Sequence, residues 1–255
     1  MLVLRRVRSH RFALGALLLC VVGAALLAAQ LRTSVLQPPE IDRLRLRAGG
    51  ANDRGALAQL VKAARGGNRD AQRASASVLL ARMDQNSVAL GLQFAKTAAE
   101  RGDPAAQYLL ARTLFDGNRN LPADRVLARA WLQKAAGQDH PQAAYLLGLI
   151  YKNGYGIGAN QTAATAWFAR AAAHGDADAM FMLATAYLEG AGVKADQAIA
   201  LRWFQQAAEM EQPLAAQTLA YALRDGTLGL APDARASAQM MVEVEHALHH
   251  PREAL

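Results

Sequence analysis

Trp131, Trp167 and Trp203 recur at intervals of 36 residues, and this period limits what the chain can fold into. Three pairs of alanines, Ala135-Ala136, Ala171-Ala172 and Ala207-Ala208, repeat at the same interval. So do Asp124, Asn160 and Asp196, each seven residues ahead of its Trp. A fixed period of this length marks a stacked array, in which each unit buries its apolar face only against its neighbours.

The residues before each Trp repeat as well. Leu110-Ala111, Leu147-Gly148, Leu183-Ala184 and Leu219-Ala220 correspond, and seven residues after each Leu stands Gly117, Gly154, Gly190 or Gly226. The first interval is 37 because the loop between Gly117 and Trp131 is one residue longer than the next two. In the last unit Met240, seven residues after Asp233, takes the Trp position. A degenerate unit precedes the array: Val78-Leu79-Leu80-Ala81-Arg82 echoes Tyr108 to Arg112, and Phe94 with Ala98-Ala99 echoes Trp131 with its alanines. Leu57, Leu60, Val61 and Ala63-Ala64 read as a lone second helix that caps the array.

Each unit reads as two helices. The first places Ala144, Leu147 and Tyr151 on one face at helical spacing. It stops at a glycine, which takes the left-handed conformation at a helix C-terminus without steric cost. The second starts after Asp124, Asn160, Asp196 or Asp233, short polar side chains that can hold free backbone N–H groups. Asn68, Asp103, His140, Asp176 and Gln212 occupy the same place before the first helices. Pro104, Pro141 and Pro213 follow at the first helical position, where the missing N–H costs nothing. Alanine is abundant and aromatics make up only 6%, which suits closely packed helices.

The pattern Ala144-x-x-Leu147-Gly148-x-x-Tyr151-x-x-Gly154-x-Gly156, followed by Ala164, Trp167, Ala171 and Gly175, resembles the Sel-one-like repeat, a relative of the tetratricopeptide repeat. Leu183, Tyr187, Gly190, Gly192, Asp196, Ala200 and Trp203 make the next copy. The resemblance covers roughly residues 53–248. It implies an all-α, α/α solenoid, a right-handed superhelix whose concave face holds a protein or peptide partner.

A second signal lies at the N-terminus. Phe12 to Leu31 contains no charged residue. Twenty helical residues span about 30 Å, the thickness of a bilayer core. Arg5, Arg6, Arg8 and Arg11 precede the stretch and account for more than half of the net charge of +7. Their position favours a cytoplasmic N-terminus, although Arg32, Arg43, Arg45 and Arg47 on the far side weaken the asymmetry. Three readings compete: a retained single-pass anchor, which is preferred; a signal peptide cleaved near Ala28 or Ala29; and a lipoprotein signal ending at Cys20. The first two differ at the cleavage site, where Leu26 or Leu27 is larger than a signal peptidase favours. All three leave the repeat domain outside the cytoplasmic membrane, on the periplasmic or extracytoplasmic side. The expected organisation is a basic tail (1–11), a transmembrane anchor (12–31), a linker (32–52), the repeat solenoid (53–248) and a C-terminal tail (249–255).

Cys20 is the single cysteine, so the exported domain forms no internal disulfide and depends on helix packing. No Lys/Arg stripe interleaved with aromatics points to nucleic acid. No glycine-rich phosphate loop or nucleophile elbow appears, and Gly154-Tyr155-Gly156 is explained by a turn between helices. No catalytic activity, cofactor, metal or small-molecule substrate is expected. His246, His249 and His250, with Glu243 and Glu245 nearby, read as a polar helix end rather than a metal site.

Positions that repeat are consumed by stacking, so a partner is read by positions that vary. Two such columns run through the first helices: Arg112, Leu149, Thr185 and Tyr221, and Phe115, Lys152, Leu188 and Arg224. They mix aromatic, aliphatic and cationic side chains, as interface centres do. The expected function is a scaffold or adaptor in the cell envelope; the alternative is an inhibitor, such as an immunity protein against a secreted lipase or hydrolase toxin.

Overall fold

A computed structural model describes residues 36–82 and 84–249. These form twelve α-helices and no strand; the only β-type pairing among them is an isolated bridge between Asn118 and Leu121. The membrane segment expected at Phe12–Leu31 lies outside the described residues. Among the described residues no helix is long and apolar enough to cross a membrane.

The helices fall into two compact units, divided after Ala81. The first contains α1 (Pro38–Gly49), α2 (Arg54–Arg65) and α3 (Arg69–Ala81). Within the segment 32–52, expected to be a linker, residues 38–49 form α1. Ile41, Leu44 and Ala48 share one face of α1 at helical spacing and are buried, and α1 packs against both α2 and α3. Helix α2 is therefore not a lone cap, because α1 supplies its partner. Their junction is fixed by Asp53, which caps α2 by accepting the Ala56 N–H at 3.0 Å and receives the Arg47 guanidinium at 2.5 Å. Three arginines, Arg43, Arg45 and Arg47, among the twelve residues of α1 leave only a narrow apolar stripe, so the helix is faint in the sequence.

The second unit holds α4 (Gln85–Glu100), α5 (Pro104–Asp116), α6 (Arg125–Ala136), α7 (Pro141–Asn153), α8 (Gln161–Ala173), α9 (Ala177–Glu189), α10 (Gln197–Glu209), α11 (Pro213–Asp225) and α12 (Ala234–His249). From α5 onward, consecutive helices pair as the repeat predicts: α5 with α6, α7 with α8, α9 with α10 and α11 with α12. The caps anticipated in the sequence are formed. Asp124, Asn160, Asp196 and Asp233 accept N–H groups three residues on, each at 2.9 Å. Asp103, Asp176 and Gln212 do the same for the first helices. His140 is the exception and makes no such bond. The first helices α7, α9 and α11 end at Gly154, Gly190 and Gly226 in the left-handed region. A Cβ at Gly154 would also approach Ile157 O to 2.9 Å, so both φ and space call for glycine there.

The core runs through the paired helices as a ladder. Ala143, Ala144, Leu147 and Ile150 from α7 meet Ala164, Phe168 and Ala171 from α8. Small residues bring the axes close, and large ones fill the space that remains. The repeated tryptophans Trp131, Trp167 and Trp203 are only half-buried and pack at the edge of this core. The residue after each one, Leu132, Phe168 or Phe204, is fully buried. The outer face of Trp131 carries the Lys134 ammonium at 3.9 Å from the ring centroid, and the Arg170 guanidinium lies 5.7 Å from that of Trp167.

Junctions between repeats are tied by polar contacts. Gln138 donates to Gln107 at 2.9 Å, Gln212 to Asp178 at 3.3 Å, and Arg170 to Asp139 at 2.8 Å. The Thr165 hydroxyl donates to the carbonyl of Ala191 in the following repeat at 2.8 Å. A Cβ at Gly192 would meet the backbone of α8, with Thr162 N at 2.6 Å. Gly192 thus lets its turn lie directly against the preceding repeat.

Candidate protein-binding surface

The two variable columns sit at i and i+3 on each first helix, so each helix presents both members of its pair on one face. Their environments differ along the array. Arg112 is exposed and pairs loosely with Asp116 at 3.7 Å on the same helix. Phe115 is half-buried: its ring meets that of Tyr155 edge-on, with centroids 5.6 Å apart. The Arg125 guanidinium covers both rings, 5.7 Å from the Phe115 centroid and 5.5 Å from the Tyr155 centroid. Phe115 is therefore partly engaged within the chain. Leu149 packs against the core from its edge.

Further along, the columns become more open. Leu188 and Tyr221 keep 41% and 42% of their surface accessible. Arg224 lies over the Tyr221 ring at 4.9 Å and forms a two-point ion pair with Asp225, at 2.7 and 2.9 Å. That hydrogen-bonded pairing holds the Asp225 carboxyl below the usual carboxylate range and the Arg224 guanidinium above its own. Both groups stay charged, so Tyr221 carries a permanent, pre-positioned cation on its face. Aromatic rings and arginines of this kind supply much of the binding energy at protein interfaces.

Lys152 and Thr185 share a feature the sequence did not reveal. With Gln161 and Glu189 they rim a cavity of about 310 Å³ formed by α7, α8 and α9. Phe168 and Met182 give its lining an apolar part. Neither Phe168 nor Met182 stands out in the linear sequence, since only the stacking of α9 on α8 opens a space over them. The structure thus brings Lys152 and Thr185 together in one recess, places Leu188, Tyr221 and Arg224 on exposed helix surface, and engages Phe115 and Leu149 in packing.

No group of three or more His, Cys, Asp or Glu side chains among the described residues could hold a metal ion. His250 and the side chains of Glu243, His246 and His249 lie outside the described residues. The titratable groups displaced most by burial lie at repeat junctions. Burial pushes the Tyr145 hydroxyl up to about 12, beside Phe168 at 6.0 Å. Asp176 is raised by burial, and His140, stacked on Tyr108 at 4.8 Å, is lowered by it. All three belong to packing between helices.

The Sel1 repeat family model matches residues 104–140, 141–176 and 177–211, which are α5–α6, α7–α8 and α9–α10 with their turns. Among solved structures the chain is similar to a Sel1 repeat protein from Oxalobacter formigenes. The two are 25% identical with a TM-score of 0.74, over 84% of this chain and 90% of that one. It is also similar to a protective antigen present in uropathogenic Escherichia coli strains and displaying an SLR fold. That match has 27% identity and a TM-score of 0.67, and covers 82% of this chain but 46% of the antigen. No curated protein matches the chain. The described residues are all-helical and residues 104–211 are Sel1 repeats; proteins built from such repeats generally mediate protein–protein interaction and are generally not enzymes. The inhibitor reading is not favoured by these likenesses.

Proposed function

We propose that the chain is a protein-binding scaffold tethered to the cytoplasmic membrane through Phe12–Leu31, with its repeats on the extracytoplasmic side. In this role it holds another protein or peptide and catalyses no reaction of its own. The observation that carries the reading is the succession of side chains on the outward faces of α7, α9 and α11. Lys152 and Thr185 rim a recess, and Leu188 and then Tyr221 with its paired Arg224 continue as open surface. Stacking does not use these groups, and their types suit a desolvated contact. The tether is supported by the sequence alone: twenty uncharged residues behind four arginines.

The test is affinity capture from crosslinked membranes, with identification of what co-purifies, alongside washing of membranes in high salt. One dominant partner, lost on changing Tyr221 and Arg224 to Ala, supports the scaffold. Release of the chain by salt alone rules out the anchor. A reporter fused after Leu255 that works only in the cytoplasm rules out the orientation.

A further inference from the structure

We infer that the recess between α7, α8 and α9 seats an aromatic side chain of the partner, followed by a cationic one, a refinement that rests on the protein-binding reading above. The repeat register gives each residue of the recess a counterpart one unit earlier. Lys152 stands where Phe115 stands, Ala191 where Tyr155 stands, and Gln161 where Arg125 stands. Thr185 replaces Leu149, and Ala186 replaces Ile150.

In the earlier unit this location is filled by the chain itself. Phe115 and Tyr155 meet edge-on, and Arg125 covers both. In the later unit neither ring is present, the guanidinium is gone, and about 310 Å³ stands open. One unit further on, the counterparts of Lys152 and Thr185 are Leu188 and Tyr221, so a ring returns. The junction before it displays the occupant that fits: an aromatic ring beneath a guanidinium.

The lining suits that occupant: Met182 is only half-buried, and its sulfur is a favourable neighbour for an aromatic edge. Lys152 can lie over the incoming ring as a cation–π partner. Glu189, which replaces Asn153, supplies a carboxylate where the chain has lost the charge of Arg125. Neither Lys152 nor Glu189 forms an ion pair among the described residues, so both charges are available. The recess thus selects an extended segment carrying Tyr, Phe or Trp next to Arg or Lys.

The test uses the full chain in detergent micelles with methyl-labelled methionine, the Met182 signal being assigned with Met182→Leu. Two probes are titrated: acetyl-Gly-Tyr-Arg-Gly-amide, and the same peptide with Leu in place of Tyr. The expected result is a saturable Met182 shift in the millimolar range or tighter, with the Tyr peptide binding about tenfold better than the Leu peptide. Ala191→Tyr, which restores the ring of the earlier unit, should abolish the shift and raise the melting temperature. Thr185→Leu, a smaller filling change, should weaken binding and guards against misfolding of the first variant. Equal binding of both peptides, no saturable shift, or a shift that survives Ala191→Tyr in a folded protein overturns the assignment. Membrane capture separates this failure from that of the broader reading. If Ala191→Tyr still captures the native partner while Tyr221→Ala does not, the recess assignment falls and the scaffold stands. If the wild-type chain captures nothing, the scaffold falls.

Discussion

Gly148 of α7 lies directly beneath the ring of Phe168 in α8. A Cβ at Gly148 would stand 2.5 Å from Cδ1 and closer still to Cε1, so the two helices approach only because one side chain is absent. The unit before pairs Ala111 with Leu132 at the same places, exchanging one methyl against the size of the partner. Gly148→Ala should therefore destabilise the domain by about 1–3 kcal/mol through overpacking. The value should fall toward the lower end, because Ala184 and Phe204 coexist one unit later. Adding Phe168→Leu should restore part of the loss, and a double-mutant cycle by urea denaturation measures that coupling.

The half-burial of the tryptophans gives a ranking. Phe168→Ala and Phe204→Ala remove fully buried rings and should each cost about 3–5 kcal/mol. Trp167→Ala and Trp203→Ala remove rings at the core's edge and should cost clearly less, despite their greater size. Denaturant midpoints of the four variants test the order, and a reversed order would place the core at the wrong residues.

His140 contributes a pH dependence. Burial against Tyr108 lowers its pKa, with the charge of Asp103 opposing in part. The folded state therefore binds this proton less readily than the unfolded state. The contribution of His140 to stability is complete above its ordinary value of 6.5 and is lost as pH falls through that value toward the lowered one. Gln212, in the same place before α11, caps its helix by accepting the Ala215 N–H at 2.7 Å. His140→Gln should accordingly fold well and lose less melting temperature than the wild type between pH 7.5 and 5.

Asp176 behaves in the opposite sense. Burial raises its pKa, so its contribution is greatest at low pH and declines as pH rises from the ordinary value of 3.8 through the raised one. Asn is as good a cap, as Asn160 shows by accepting the Ala163 N–H at 2.9 Å. Asp176→Asn should match or exceed the wild type at pH 7, with the difference shrinking toward pH 4. Asp176→Ala, which loses the bond from Ala179, should cost about 1 kcal/mol. Thermal melts of the three proteins across that range check both statements.

Among the variable columns, Tyr221 offers the cleanest separation of binding from folding. Its ring is open, so Tyr221→Ala should change stability by less than about 0.5 kcal/mol while weakening partner capture about thirtyfold. Phe115→Ala should instead cost both stability and order at the turn, since it strips Tyr155 and Arg125 of their shared ring. Parallel melting and capture measurements on the two variants distinguish these outcomes.

The sequence by itself determined the period, the two-helix unit and most helix boundaries. These depend on local chemistry: Asp103 and Asp124 cap whatever helix follows them, and Gly154 ends a helix wherever it stands. It also determined which columns vary, because that is a comparison of the chain with itself. The tertiary structure decided which members of those columns are open. Phe115 and Lys152 occupy one register position, yet one is engaged by a turn of the next repeat and the other rims a recess. The difference comes from Tyr155 and Ala191, distant in sequence from the residues they cover or expose. It likewise decided that Phe168, rather than Trp167, lies at the centre. Both residues face inward at helical spacing, and only the approach of α7 at Gly148 settles which of two adjacent rings is sealed from water.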